Sequence, residues 1–517
     1  MNIFIHGNLY GMDSDAFTVE DGIFTSFGNS EDLVLDAGED DEIIDLNHSF
    51  VSPGFIDSHL HLVEYGAFLK NVQLQNCFGV EDILRKLSHQ LERVKQGEWL
   101  LGRGFNEEFF DVPEQLEKRH LDSLSTVVPI AVTRSCGHKM VVNSKALELA
   151  GIDEDTQVEG GVIDFERGML EENAVTLLHS AWPEETEDSI RECILRAQKE
   201  LNRYGITSVG SDDFVSLTSD WRMVLRVFSR MAYKGELTVR VNEQCEFPSL
   251  EEFAEFLDEG NTFDDGDDFF RIGPLKLITD GSLGARTAAL KQPYSDDPTR
   301  SGYMTYSTEE MEQWIQLATN YNMPTICHAI GDRAVEEVLN LFDEAVLESN
   351  PLHHGLVHCQ IMDKEEIRRA IDQKLICYVQ SLFIDTDAPM LEERVGTARA
   401  ETSYPFHTLY EGTIVCNGSD APVETPDVMK GIELAVTRTM IHGDASMNPK
   451  ECMNVEEALA SYTINGAKAM FAEDRLGKLQ EGALADFAVL SEDPRTCEPK
   501  DIHKIRVLMT VMNGEIV

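Results

Sequence analysis

Positive charge is scarce in this chain: 43 Lys and Arg stand against 93 Asp and Glu, a formal charge of −50 over 517 residues. A field of that sign repels phosphate backbones and anionic headgroups, so neither nucleic acid nor a membrane surface is an expected partner. Two readings of the acidity stay open, a solvated surface that keeps the protein soluble in a salty cytoplasm and steering of a cationic substrate. Long apolar runs are missing too. No stretch reaches the roughly 18 apolar residues of a membrane span. The opening segment MNIFIHGNLYGMDSD has no basic region and no long apolar core, so a secretory signal is not expected either. Paired cysteines are the third absence. Cys77, Cys136, Cys193, Cys245, Cys327, Cys359, Cys377, Cys416, Cys452 and Cys497 show no CxxC spacing, which argues against a zinc ribbon or a disulfide framework. Reduced, mostly buried thiols in a cytoplasmic protein are the expectation. Low-complexity tracts and Pro-rich linkers are lacking as well, so no long stretch is expected to be disordered.

What is present points to several domains, because a chain of this length exceeds one compact core. Residues 1–50 alternate short apolar runs with turn residues, as in Ile3-Phe4-Ile5 and Ile43-Ile44, and the last fifty or so repeat that character in ADFAVL and VLMTVMNG. Such segments predict one composite β-sandwich domain built from both ends, residues 1–50 with 470–517. Between them, short apolar runs alternate with helical periodicity, the pattern of a (β/α)8 TIM barrel in the α/β class. The runs assigned to barrel strands are 51–57, 207–211, 237–241, 275–279, 324–328, 355–358, 376–380 and 413–418, with helices such as 189–204 and 333–347 between them. About 150 residues separate the first two runs, where linking loops ordinarily have about 2 to 6. An α/β insertion after the first strand, residues 66–184, is therefore expected. It leaves the barrel at the carboxyl end of a strand, where it is placed to act as a lid, and the barrel itself occupies 51–65 and 185–469.

The chemistry gathers at strand ends. In an extended backbone, positions i and i+2 point the same way, so His59 and His61 of PGFIDSHLHL present two imidazoles to one ion. A His-X-His is as common among surface or core histidines as in metal pairs, and its place at a barrel strand end favours the metal. Lys276, His328, His358 and Asp420 fall at the ends of later strands. A buried histidine ordinarily satisfies core hydrogen bonds, and Asp420 fits a helix N-cap as well as a ligand. Lys276 is harder to explain in that way, since a lysine in an apolar strand needs a charge partner or must lose its proton. Together the six supply a two-metal site, zinc first, with manganese or iron as alternatives. A neutral Lys276 amine combines with carbon dioxide to give a carbamate that bridges both ions. The ions activate a water, and Asp420 passes its proton to a leaving nitrogen.

With these residues at these strand ends, the chain resembles the metal-dependent amidohydrolase superfamily, in the YtcJ-like branch that includes N-substituted formamide deformylase and the exoenzyme regulatory proteins. Matching segments run through nearly its whole length: PGFIDSHLHL, RSCGHKMVVNSKAL, GGVIDFERGMLEENA, GITSVGSDDF, LKLITDGSLGARTAAL, CHAIGDRAVEEVL, GLVHCQ, GSDAPVETPD, NGAKAMF and RLGKLQEGALADFAVL. The resemblance implies the same barrel, sandwich and lid. It also implies that His59 and His61 hold one ion, that His328 and His358 hold the other, that carboxylated Lys276 bridges them, and that Asp420 is ligand and base. One departure stands in the lid segment, Cys136-Gly137-His138 where branch members carry Asp-Gly-His.

His138 is kept, and is counted with Asp420 and Lys276 among the catalytic candidates. Arg134 and His138 fit either contact with a substrate carbonyl or carboxylate or a structural role inside the insertion. Asp280 and Arg286 either line the pocket or pair with each other, and Asp332 either orients a metal-bound imidazole or caps a helix. Gly160, Gly161 and Gly281 read as turn glycines. The expected reaction is hydrolysis of a non-peptide C–N bond in a small amide, formamide or cyclic amide by metal-activated hydroxide. The same site would serve an ester, lactone or phosphoester, and a catalytically silent regulatory protein on this fold is the reading from another class. The expected partners are a small-molecule substrate and, as the commonest assembly, a second copy in a homodimer.

Overall fold

The apolar runs of the central chain form one parallel sheet in the computed structural model. It describes residues 1–517 except 76, 108–109, 135–138, 159–160, 180, 347–348 and 442, with the side chains of 179 and 344 likewise set aside. The chain divides into two compact units, Met1–Glu64 with Ile190–Val517, and Tyr65–Ser189.

In the first unit the sheet runs β1 (Phe55–Leu60), β2 (Ile206–Ser211), β3 (Arg240–Cys245), β4 (Phe270–Ile278), β5 (Thr325–Ala329), β6 (Gly355–His358), β7 (Ile376–Val379) and β8 (Val415–Asn417). Each strand pairs in parallel with the one before it, from β1 to β8 in order. This is a nearly closed eight-stranded parallel barrel. The seam between β8 and β1 is joined at the mouth by Asp420 N–H donating to the His59 carbonyl at 2.8 Å and His61 N–H donating to the Ala421 carbonyl at 2.9 Å. Burial on both faces of the strands, complete in β1, follows from helices covering the outside. Those helices start where the sequence writes a cap: Asp220, Ser249, Ser307, Asp363 and Asp427 each accept an amide hydrogen from their own first turn. Helix Trp221–Tyr233 buries Trp221, Val224, Val227, Phe228 and Met231, the stripe that a 3.6-residue period lays along one face.

Two predicted strands need correction. The run 51–57 is two strands, Phe50–Pro53 in another sheet and β1 in the barrel, divided at Gly54. A Cβ at Gly54 would lie 2.2 Å from Thr207 Oγ1, so only glycine lets the chain pass this close to β2. The run 237–241 is displaced towards the carboxyl end, to β3. Asn242, Glu243 and Gln244 are buried polar residues inside a strand, and an apolar pattern ends where they begin.

The two ends of the chain share sheets. Phe50–Pro53 pairs antiparallel with Phe487–Leu490, which pairs with Val507–Met512. A four-stranded sheet of Ile23–Gly28, Ala16–Glu20, Asn2–Ile5 and Glu42–Asp45 packs on it through Phe4, Phe17, Phe24 and Phe487. Phe487 meets Phe4 and Phe17 edge-on at 5.0 and 5.1 Å between centroids, a geometry that favours aromatic packing.

The second unit carries a six-stranded sheet in the order Gly161–Asp164, Met169–Glu172, Lys139–Val142, Ile130–Arg134, Leu100–Phe105 and Val72–Gln73. Helix Val80–Leu91 packs Val80, Ile83 and Leu87 against it. Among the described residues, no helix is long and apolar enough to cross a membrane, and the described cysteines are free, seven of them buried.

Candidate metal centre

β1 ends in His59 and His61, whose rings lie 5.4 Å apart at the mouth of the barrel. The Asp420 carboxylate, just beyond β8, reaches both: Oδ1 is 3.6 Å from His59 Nε2 and 3.3 Å from His61 Nε2. One ligand atom from each of the three lies within 4.8 Å of the others. Lys276, buried on β4, brings Nζ to 3.1 Å from His59 Nε2. His358 at the end of β6 sits 5.7 Å from the His59 ring and 4.5 Å from that of His328 on β5, centroid to centroid. Six residues from five strand ends thus lie close to one another. Asp420 is not a helix cap: no helix begins directly after it, and its carboxylate is turned to His59 and His61.

The charges are arranged as a cation site. Burial, reinforced by the neighbouring Lys276, holds His59 well below its usual pKa, and burial with the nearby His328 takes His358 down to about 3, so both rings are neutral with a lone pair to offer. Burial acts to lower His61 as well, but the Asp420 hydrogen bond and the Asp212 charge outweigh it and lift His61 to about 10. Asp420 in turn, although burial acts to raise it, is held below the usual carboxylate range by His61 and by the fields of His358 and His59.

Around these six stand residues that the sequence reading passed over. Asp212 follows β2; its Oδ2 lies 3.4 Å from Lys276 Nζ, and its backbone carbonyl accepts from His61 Nδ1 at 2.9 Å. Gln244 on β3 meets His59 Nδ1 at 2.5 Å, and Gln380, just past β7, meets His358 Nδ1 at 2.8 Å. Asp57, raised to about 7 by burial, accepts from the Ser419 amide at 2.9 Å and ties β1 to the end of β8. Asp212 had a signal in Ser211-Asp212-Asp213, an apolar strand running into two acids; the glutamines had none.

The remaining candidates are placed as follows. Asp280 does not pair with Arg286: its carboxylate accepts from the Ala289, Ile330 and Gly331 amides and lies 3.3 Å from His328 Nε2, buried behind that imidazole. Arg286 is engaged instead by Asp296, at 2.7 and 3.1 Å. Asp332 accepts from the Lys291 amide at the start of helix Asp332–Ala345. In the second unit Arg134 donates to Glu107 and Asn106 at 2.8 and 2.7 Å. His138, with Cys136, Gly137 and Gly160, lies outside the described residues.

Gly418 is the tight point of the seam. A Cβ there would lie 2.6 Å from His59 N and 2.7 Å from His59 O, both backbone atoms that have no rotamer to move. Gly418→Ala is expected to cost about 1–3 kcal/mol of stability through overpacking, and to push His59 away from Asp420. Metal content and melting temperature measured together check this; full metal content in a folded Ala variant would show that the seam tolerates the methyl group.

Residues 42–517 match the amidohydrolase family. The chain is 33% identical over 514 residues, 98% of its own length and 96% of the relative's, to a Bacillus subtilis protein named putative amidohydrolase YtcJ. It is 25% identical over 528 residues, 97% and 94% of the two chains, to an N-substituted formamide deformylase of Arthrobacter pascens. Of solved structures, an uncharacterized metal-dependent hydrolase from Pyrococcus furiosus superposes with a TM-score of 0.81 at 28% identity, covering 96% of this chain and 100% of that one.

Proposed function

Because this chain belongs to the amidohydrolase family, we propose that it hydrolyses a C–N bond other than a peptide bond, in a small amide, formamide or cyclic amide. The observation that carries the reading is the convergence of His59, His61, Asp420 and Lys276 at the barrel mouth, with His328 and His358 beside them. The donor set fits divalent ions, since imidazole nitrogens and a carboxylate oxygen already crowd within ligand range of one point and suit zinc, manganese or iron. His59, His61 and Asp420 would hold one ion, His328 and His358 a second, and carboxylated Lys276 would link them. Bound there, such ions acidify a water into the neutral range and polarise the scissile carbonyl.

The chain's own groups do the rest. Asp420, kept ionised by its histidine neighbours, accepts the proton of the attacking water and returns it to the leaving nitrogen. Addition of carbon dioxide to the Lys276 amine releases a proton, and Asp212 is the carboxylate within reach of that nitrogen. One relative bears the name of an N-substituted formamide deformylase, which supports placing formamides among the first substrates to try.

The test is a screen of N-acyl and N-formyl amines and amino acids, each beside its ester counterpart, on metal-replete protein. The expected result is turnover of at least one amide in preference to its ester, abolished by a chelator and restored by adding back a divalent ion. Turnover indifferent to chelation, or a protein that takes up no stoichiometric metal, sinks the proposal.

A further inference from the structure

The histidines of the site do not face it with arbitrary nitrogens. An imidazole ligand needs its proton on the ring nitrogen turned away from the metal, and whatever accepts that proton selects the tautomer. For His59 and His358 the acceptor is a glutamine, and the structure says which end of each amide points at the ring. The Gln244 Nε2 group donates to the Ser58 carbonyl at 2.9 Å, a bond that an amide oxygen cannot make. Its Oε1 is therefore the atom at 2.5 Å from His59 Nδ1. Being an acceptor only, that oxygen requires Nδ1–H and leaves a lone pair on Nε2, the nitrogen that meets Asp420 and Lys276. Gln380 repeats the device from the opposite side: Nε2 donates to the Tyr378 carbonyl at 3.4 Å and Oε1 accepts from His358 Nδ1 at 2.8 Å. Both glutamines are almost wholly buried, so water does not compete for the ring proton.

We propose that Gln244 and Gln380 are positioning residues that hold His59 and His358 in the Nδ1–H tautomer and so preset their Nε2 atoms for the metal. The inference rests on the metal reading above. A burial role alone would explain an apolar side chain at either position as well as it explains glutamine. It does not explain two amides, one on β3 and one just past β7, each with its nitrogen satisfied by a backbone carbonyl and its oxygen spent on a ring nitrogen.

The experiment measures zinc affinity of the full chain by competition with a chromophoric chelator, for the unaltered protein, Q244L and Q244E. Leucine keeps the bulk and removes the acceptor, and zinc binding is expected to weaken by about 10- to 100-fold. Glutamate keeps an acceptor towards His59 while giving up the Ser58 bond, and is expected to restore most of the affinity. Q244L binding zinc like the parent, or Q244E binding as weakly as Q244L, overturns the proposal, the latter by reducing Gln244 to a prop for the Ser58 carbonyl. Q380L and Q380E put the same question to His358 should Q244L fail to fold. A parent chain that binds no zinc overturns the metal reading itself, and is seen before any variant is compared.

Discussion

Asp420→Asn is expected to lower kcat on the chain's best amide substrate by about 10²- to 10⁴-fold, the range associated with loss of a general acid–base group, while the protein stays folded. Asparagine has the same shape, and the structural duty of residue 420 is carried by its backbone N–H, which donates to the His59 carbonyl whichever side chain is present. What is lost is the charge. Without it His61 loses the largest of the influences that raise its pKa, and the site loses both its proton acceptor and one ligand. The ligand part and the base part separate experimentally, because saturating metal repairs weakened binding and leaves a missing base unrepaired. Steady-state kcat at saturating divalent ion, with metal content measured on the same samples, is the check. Activity that survives in the Asn variant removes Asp420 from the catalytic step.

The second large effect is expected at the other end of the barrel. Arg240, the first residue of β3, is buried and makes a two-pronged ion pair with Asp486 at 2.7 and 2.8 Å. Its third donor goes to the Asp268 carbonyl, and Asp486 also accepts from the Asn513 amide. This pair joins β3 to the segment beside Phe487–Leu490, so it links the barrel to the sheets made by the chain ends. Removing one partner of such a pair strands the other charge away from water, and Asp486→Ala is expected to destabilise by about 3–5 kcal/mol. Replacing both, Arg240→Met with Asp486→Leu, is expected to recover much of that loss, because no charge is then left unpaired. Denaturant midpoints of the two single variants and the double variant decide it, and near-additive losses would contradict the account. Since Arg240 and Gln244 stand near opposite ends of one strand, zinc affinity of the folded Asp486→Ala protein should match the parent.

Where the sequence reading succeeded, the signal was local and periodic. His59 and His61 share a face because a strand repeats every two residues, and the helices read over 189–204 and 333–347 stand as Glu187–Arg203 and Asp332–Ala345 because a 3.6-residue period is written in neighbouring residues. Where it failed, the reason was a contact between residues far apart in the chain. The first strand was run through Gly54 because nothing near it in sequence shows that Thr207 crowds that position. β3 was displaced because Asn242, Glu243 and Gln244 read as a polar loop until the barrel wraps them inside.

The order of residues along the chain was enough to give the barrel class and to name six candidate ligands, since both depend on backbone periodicity and side-chain chemistry that neighbours in sequence already express. Tertiary packing alone decided which nitrogen each imidazole turns inward, which acid lies beside Lys276, and that Asp280 sits behind His328. Those outcomes turn on distances of about 3 Å between groups up to 185 positions apart, and a hydrogen bond of that length exists only after the strands have closed into a ring.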